Sequence, residues 1–325
     1  MDILKRLFGS KEAPLQSKAA PRPSPLAMRE TGSSFMSIPS LNFFGSFARS
    51  PNGRYTLIWR DGTGTHGGAR ENGEGRYLLL DEGMLIVDGR MQRPNDGKVA
   101  NSGIFILNDW RFSSDLIGTF WAFRHDGSLI FSRTFTANLF NNGLSENGML
   151  ACCQTCNSST DDSGKLTIFD LVAGRETSNS VAESGWAQEY EFVAGTSAIQ
   201  LCYLHGRGSF RYRLSGEFTD REKWIFKGLY DGDLYMARRV LDQASGPLDA
   251  GQAERLIKCV EKGLRLPEWR EHQAFGWRVR GEIYEACNDL PEATRSYEKA
   301  VGLDPKIGVK RRLQKLKGQV KSQEN

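Results

Sequence analysis

The chain has 325 residues, a formal net charge of +4 and 25% charged side chains. This length suits one or two domains with a buried core, and the charge is too small by itself to argue for a nucleic-acid ligand. The six cysteines lack the regular spacing of a secreted disulfide scaffold, and no run approaches the roughly 18 apolar residues of a membrane span. We therefore expect a cytoplasmic protein, of bacterial type, with no transmembrane segment.

Residues 1–34 are predicted to form a flexible N-terminal segment and linker. Residues 1–10 place a few apolar side chains opposite Lys5 and Arg6, a pattern with two interpretations: a docking peptide, or an N-terminus that binds nothing. Residues 11–34 are rich in Pro, Ser and Ala and poor in large apolar side chains, so burial cannot offset the entropy lost on ordering them.

The sequence pattern changes at about residue 35. From there to residue 222, short apolar runs alternate with Gly, Asn and Asp turn signals. Examples are RYTLIW (54–59), IFIL (104–107) and LTIF (166–169). These runs are too short for helices and rich in β-branched or aromatic residues, which indicates strands. Polar turns at Pro51-Asn52-Gly53, Asn95-Asp96-Gly97 and Glu146-Asn147-Gly148 recur with a period of about 45 residues, the period of propeller blades.

The piece at 145–176, SENGMLACCQTCNSSTDDSGKLTIFDLVAGRE, resembles a WD-repeat or related propeller blade in its order of turns and strands. It lacks the Trp-Asp dipeptide that gives the family its name, so the resemblance is to the architecture. The resemblance implies a β-propeller-like domain over 35–222 with about four repeats. A closed propeller, an open one completed by a partner and a twisted sandwich remain alternatives.

The apolar period becomes helical in the last part of the chain, which we predict to be an α-helical domain over 223–325. Leu234, Ala237 and Leu241 follow the i, i+3, i+4 spacing of one helix face. Asp249 stands where a second helix would begin and is suited to cap it. The overall expectation is a multidomain β + α protein.

The stretch from Gly276 to Pro305 resembles a tetratricopeptide repeat, a pair of antiparallel helices with fixed large and small positions. The positions that carry the resemblance are Trp277, Gly281, Tyr284, Ala293, Tyr297, Ala300 and Pro305. Arg280 replaces a usual Leu, which we expect to loosen the packing of the first helix. Residues 229–266 look like a degenerate copy, and the basic segment after Pro305 is expected to form a cap helix.

This resemblance implies a concave face, built from the first helix of each pair, that holds a protein or peptide partner. Carried over to this sequence, the partner-binding residues are Phe275, Arg278, Glu282 and Glu285. The signature residues themselves belong to the core. On this basis, charge reversal at Arg278 together with Glu282 is expected to weaken partner capture without lowering the melting temperature.

Signals for chemistry are weak along the chain. Cys153 and Cys156 form a CxxC spacing without the further ligands that zinc requires, so a buried structural role competes with a metal site or a redox switch. The Gly-rich stretch 62–75 lacks a phosphate-binding pattern and is better interpreted as a hairpin loop and contact surface. We expect no metal, no cofactor and no enzyme activity.

The sequence therefore predicts a non-enzymatic interaction scaffold or adaptor that uses the propeller loops and the helical concave face. The alternative is a nucleic-acid-associated factor that uses the basic C-terminal helix. Seven basic residues after Pro305 support this alternative: Lys306, Lys310, Arg311, Arg312, Lys315, Lys317 and Lys321.

Overall fold

The structure, a computed structural model, describes residues 24–62, 73–111, 116–204 and 206–323, with side chains to 319. Strands fill the first part and helices the last, which confirms the predicted β-then-α layout. The chain divides into two compact units: one comprises Met1–Ala151 with Leu171–Gly174, and the other Cys152–Asp170 with Arg175–Asn325. The predicted docking peptide at 1–10 and most of the Gly-rich loop lie outside the described residues.

The first sheet has six antiparallel strands that follow one another in chain order. They are β1 (Arg29–Thr31), β2 (Phe35–Ile38), β3 (Phe43–Arg49), β4 (Tyr55–Arg60), β5 (Gly75–Asp81) and β6 (Met84–Met91). β1 lies inside the segment predicted to be a linker and pairs with β2. Leu26 and Met28 pack against the buried side chains of Met36 and Ile38, which explains how this segment is held.

Three smaller sheets follow, and their strands also pair with chain neighbours. The second sheet holds β7 (Pro94–Val99), β8 (Phe105–Asp109), β9 (Gly118–Phe123) and β10 (Leu129–Phe135); the third holds β11 (Leu139–Leu144), β12 (Leu150–Thr155), β13 (Lys165–Asp170) and β14 (Arg175–Val181). The fourth has only β15 (Glu189–Phe192), β16 (Ala198–Tyr203) and β17 (Gly208–Arg213). Successive antiparallel sheets of this kind are the blades of a propeller-like domain.

The same turn joins neighbouring strands in each of the first three sheets: β3 to β4, β7 to β8 and β11 to β12. Gly53 donates its backbone N–H to the Ser50 carbonyl at 2.8 Å, and Gly148 donates to the Ser145 carbonyl at 2.9 Å. Both glycines have φ between 70° and 80°, a region that side chains disfavour. The third such turn ends at Gly103, which donates to Ala100 at 3.0 Å.

The prediction of a turn at Asn95-Asp96-Gly97 was wrong, because these residues lie inside β7. Gly97 is needed there for close packing: a Cβ at this position would lie 2.8 Å from Leu107 and 2.9 Å from Leu57. Asp96 accepts a hydrogen bond from the Asn142 backbone N–H at 3.1 Å. Polar and glycine residues therefore serve strand packing here, and the turn follows at Gly103.

Six α-helices follow the strands within the described residues. They are α1 (Arg221–Asp231), α2 (Leu234–Gln243), α3 (Ala250–Gly263), α4 (Gln273–Ala286), α5 (Leu290–Leu303) and α6 (Lys310–Gln323), with a 3-10 helix at Pro267–His272 before α4. The predicted cap at Asp249 is confirmed: its side chain accepts from the Gln252 N–H, and Gln252 bonds back to form a capping box. The predicted boundaries at 34/35 and 222/223 stay predictions.

The helical core has two adjoining clusters. One is centred on Leu234, Leu256, Val260 and Ile283, from α2, α3 and α4. The other joins Ala293 and Tyr297 of α5 to Val309, Leu313 and Leu316. The apolar side of α6 is therefore covered by α5, as expected for a cap helix.

Candidate interaction site

The site that the sequence predicts lies on α4, and its residues fall into two neighbouring groups. Arg278, Glu282 and Glu285 belong to a network of ion pairs with side chains of α2 and α6. Phe275 lies one turn earlier and belongs to a cluster of aromatic rings. Residues three or four apart share one side of a helix, so both groups lie on one face of α4. We call this surface the α2/α4/α6 face.

Glu282 is the centre of the ion network. Its side chain is only 4% exposed, and three arginines approach its carboxylate from three helices. Arg278 Nε lies 3.0 Å from Oε1, Arg312 Nη1 lies 3.8 Å from the same oxygen, and Arg238 donates to Oε2. Glu282 is therefore an internal anchor that orients the arginines, and its carboxylate is not presented to a partner.

Glu285 ties α4 to α5 and α6. Its Oε2 lies 2.6 Å from Arg312 Nε and accepts the Tyr297 hydroxyl at 2.8 Å. Burial and the Glu285 carboxylate both raise the pKa of Tyr297, so this phenol stays protonated. Burial would lower the pKa of Arg312, but the hydrogen bond to Glu285 and the nearby charges of Glu285 and Glu282 together outweigh burial, and the pKa is raised.

The aromatic cluster comprises Tyr235, Trp269, His272 and Phe275, which we call the aromatic patch. The Tyr235 ring centroid lies 4.9 Å from that of Phe275 and 5.4 Å from that of Trp269. Phe275 and Trp269 also pack on the core, whereas Tyr235 is 53% exposed. The patch is thus a rigid base with one ring projecting from it.

Several residues of this face were not predicted, although the sequence holds a signal for them. Tyr235-x2-Arg238-x3-Asp242 on α2 repeats the spacing of Phe275-x2-Arg278-x3-Glu282 on α4. Alignment of the two helices would have identified Tyr235 and Arg238. From the sequence, Arg312 is only one of the seven basic residues after Pro305, because nothing local shows that it pairs with Glu285.

The predicted signature residues lie in or beside the core between α4 and α5. Ala293, Tyr297 and Ala300 are fully buried, and Gly281 lies against Tyr297. Tyr284 packs on the same cluster, while Trp277 is half-buried beneath Arg280. Pro305 is exposed just after the end of α5, where it ends the helix.

The sequence led us to expect that Arg280 would loosen the packing of α4, but its contacts in the structure hold the helices together. Its side chain is 15% exposed, and Nη1 donates to Ser296 Oγ at 2.8 Å and lies 3.2 Å from Glu292 Oε2. Nη2 lies 3.8 Å from Glu261 Oε1, and the guanidinium lies over the Tyr284 ring at 4.7 Å. Arg280 therefore links α3, α4 and α5 where a Leu would only fill space.

The two cysteines considered for metal or redox chemistry lie at the end of β12. Cys153 is fully buried in the strand, and Cys156 follows it, half-buried. Burial raises the pKa of Cys156, which keeps its thiol protonated and a poor ligand. Within the described residues, no three His, Cys, Asp or Glu side chains are grouped so as to hold a metal ion.

Two cations of the basic C-terminal segment form ion pairs with α4 and α5. Arg312 pairs with Glu285, and Lys317 Nζ lies 2.6 Å from Glu298 Oε1. Lys310, Arg311 and Lys315 are exposed. Arg312 and Lys317 are themselves 46% and 48% exposed, so these pairs reduce the unbalanced positive charge of the segment and not the number of cations that face solvent. None of the helices within the described residues has the length and apolar character needed to cross a membrane.

The fold and this face define a class: a chain of propeller-like antiparallel sheets followed by helical hairpins with a polar and aromatic outer face. No protein family matches the sequence, and no curated protein matches it. Among solved structures, the chain is similar to the C-terminal WD40 domain of Sif2, with 9% identity and a TM-score of 0.35. The similarity covers 52% of this chain and 45% of that one, and it is too low to bear on function.

Proposed function

We propose that the chain is a non-enzymatic interaction scaffold that binds a peptide segment of a partner protein on the α2/α4/α6 face. The observation that carries this proposal is the aromatic patch beside three arginines. Tyr, Trp and Arg are the residue types that contribute most to binding energy at protein interfaces. The resemblance of α4 and α5 to a tetratricopeptide repeat supports the same face, since the first helices of the pairs line the ligand groove in that family.

The two parts of the face have different roles in the proposal. The charges of the network are balanced, because Arg238, Arg278 and Arg312 stand against Asp242, Glu282 and Glu285. Net attraction is therefore small, and the arginines act by hydrogen bonding that orients the peptide. The aromatic patch supplies the apolar surface that is removed from water on binding.

The proposal revises the partner-binding residues that were predicted from the sequence. Phe275 and Arg278 keep the role of partner contact, joined by Tyr235 and Arg238. Glu285 acts through Arg312, and Glu282 has a positioning role because it is buried. The loops between the strands are kept as a second, separate contact surface, and a cytoplasmic location remains part of the proposal.

A peptide library displayed on phage and selected on the whole chain tests this function. Selected peptides would be measured by fluorescence polarisation on the wild type, on Tyr235→Ala and on Phe44→Ala, a control that removes a similarly exposed aromatic ring from β3. We expect Tyr235→Ala to weaken binding by about tenfold or more, as for an interface hot spot, and Phe44→Ala to leave it unchanged. Failure to enrich any peptide, or equal binding by both variants, would contradict the proposal.

A further inference from the structure

A second surface of the helical region is an open groove between α1 and α3, with a volume of about 670 Å³. Val240 near the end of α2 and Leu248 after it contribute to its lining. We call this surface the α1/α3 groove. It shares none of its lining residues with the aromatic patch, and the proposed function above does not depend on it.

One wall of the groove is the apolar side of α1, which the rest of the protein leaves open. Ile225, Phe226, Leu229 and Tyr230 line it, and no residue of α1 is buried. Phe226 is 67% exposed and Tyr230 is 71% exposed. Aromatic side chains side by side on a helix and open to water are typical of a surface that another molecule covers.

The groove has the size of a short helix. The opposite wall on α3 runs from Gln252 to Lys262, a length of about 15 Å at the rise of an α-helix. One end is closed, because Lys262 Nζ donates to the Tyr230 carbonyl at 2.8 Å and lies 4.8 Å above the Tyr230 ring. A helix of about three turns would therefore meet both walls and stop against this pair.

The rim of the groove is basic. α3 contributes Arg255, Lys258 and Lys262, while the groove lining has a single acid, Glu222 of α1. Lys258 pairs with Glu254 at 2.6 Å. In the part of the chain that the structure describes, Arg255 and Lys262 bond only to backbone carbonyls or an aromatic ring. A ligand with carboxylates beside its apolar stripe would complement this rim.

We propose that the α1/α3 groove binds an amphipathic helix of a partner protein, with an apolar stripe flanked by Asp or Glu. The stripe, with side chains at i, i+3 or i+4 and i+7, covers Phe226 and Tyr230, and burial of apolar surface drives the association. The acidic flank lies along Arg255 and Lys262. The acidic flank distinguishes this ligand from other apolar helices, including membrane-binding helices, whose flanks are basic.

Designed peptides test the proposal directly. A peptide of about 16 residues would carry Leu at the stripe positions and Glu at the flanking positions; a second would carry Lys in place of Glu, and a third would have the Leu positions scrambled. Binding to the whole chain would be followed by fluorescence polarisation. We expect the Glu peptide to bind at least about tenfold more tightly than either of the others.

Variants of the groove locate the binding. Phe226→Ala with Tyr230→Ala should weaken binding of the Glu peptide by about tenfold or more, and Tyr235→Ala on the α2/α4/α6 face should not change it. Both side chains of the double variant are exposed, so its melting temperature should be retained. Arg255→Glu provides a second variant: it should weaken the Glu peptide and improve the Lys peptide.

Several results would overturn the proposal. The proposal fails if the Glu peptide shows no saturable binding or if the Glu and Lys peptides bind equally. It also fails if a synthetic peptide of residues 1–10 binds more tightly than the Glu peptide. Self-association in sedimentation velocity, or binding to anionic vesicles, that disappears in the Phe226→Ala, Tyr230→Ala variant would also overturn it. Such self-association would assign the groove to a second copy of the chain, and such vesicle binding would assign it to a membrane surface.

Discussion

Gly281 lies against the ring of Tyr297 where α4 meets α5. A Cβ at residue 281 would lie 2.6 Å from two carbons of that ring, closer than carbon atoms approach without a shift. The ring has little freedom to move, because Tyr297 is fully buried and its hydroxyl donates to Glu285. The resemblance to a helical repeat therefore rests on a steric requirement that the structure contains.

Gly281→Ala should lower the free energy of unfolding by about 1–3 kcal/mol, the usual cost of overpacking a tight contact. Chemical denaturation measures this change. Gly302→Ala on α5 is the matched control: its Cβ would meet nothing within 4 Å, and Ala favours helix, so stability should stay equal or rise by up to about 1 kcal/mol. Equal behaviour of the two variants would contradict the close packing of α4 on α5.

Arg280→Leu restores the residue usual in the repeat family, yet it should destabilise this protein by about 1–3 kcal/mol. The change removes the hydrogen bonds from Arg280 to Ser296 and Glu292. Ser296 then keeps its bond to the Glu292 carbonyl and Glu292 its pair with Arg295, but each loses one partner in a partly buried place. Arg280→Lys should recover part of the loss, since it keeps the charge without the planar fork. A Leu variant as stable as the wild type would restore the original expectation of loosened packing.

Glu282→Lys should destabilise the chain by about 3–5 kcal/mol, because it places a cation among Arg238, Arg278 and Arg312 in a buried position. The expectation from the sequence concerns charge reversal at Arg278 together with Glu282, which keeps an opposite-charge pair, and it stays a prediction; Glu282→Lys alone is expected to lower the melting temperature. Glu254→Lys, on the exposed side of α3, serves as the control and should melt at the wild-type temperature. Equal melting of the two variants would show that Glu282 is not an internal anchor.

Asp220 gives the protein a pH-dependent element at the junction of β17 and α1. Burial alone would raise the pKa of Asp220. Hydrogen bonds from the Arg211 side chain and backbone N–H, together with the charges of Arg211 and Lys223, outweigh burial and hold the pKa below its usual value. A lowered folded-state pKa means that the stabilisation is complete above the unfolded-state pKa of about 3.8 and is lost as pH falls through the folded-state value.

Denaturation of the wild type should therefore show stability falling from about pH 5 to about pH 2 in part through Asp220. Asp220→Asn, which cannot titrate, should be less stable at neutral pH and should lose less stability across the same interval. The variant and the wild type should converge at the acid end. Parallel pH curves would exclude Asp220 as a contributor.

The nucleic-acid alternative predicts a steep dependence of binding on salt, since each phosphate contact releases a counterion. Arg312 and Lys317 are paired with acids, and Lys310, Arg311 and Lys315 are the other exposed cations of α6 in the described residues, so we expect only weak binding with a log–log slope of magnitude about 3. Filter binding to single-stranded RNA and duplex DNA at several salt concentrations measures the slope.

Substitution of Lys310, Arg311 and Lys315 by Gln should abolish this weak binding without unfolding α6. Deletion of residues 306–325 is a poorer test, because it also removes Leu313 and Leu316 from the core against Tyr297. A slope of magnitude about 6 or more, lost in the triple Gln variant, would favour the nucleic-acid alternative over a peptide scaffold.

The sequence by itself determined the features that depend on residues close together in the chain. Local hydrogen bonding sets the cap at Asp249 and the turns at Gly53 and Gly148. The spacing of apolar residues sets the change from strands to helices near residue 221. The small residue at Gly281 and the large one at Tyr297 could be matched because both belong to the repeat signature within Gly276 to Pro305.

Only the tertiary structure decided the features that join distant residues. Gly97 follows Asn95 and Asp96 in a sequence typical of a turn, yet it lies in β7. Leu57 and Leu107 of other strands pack against it there. Arg238, Arg278 and Arg312 meet at Glu282 from three helices, and no local pattern predicts such a charge network. The α1/α3 groove exists because packing leaves one apolar helix side uncovered, which depends on the positions of α2 and α3 in space and not on the α1 sequence.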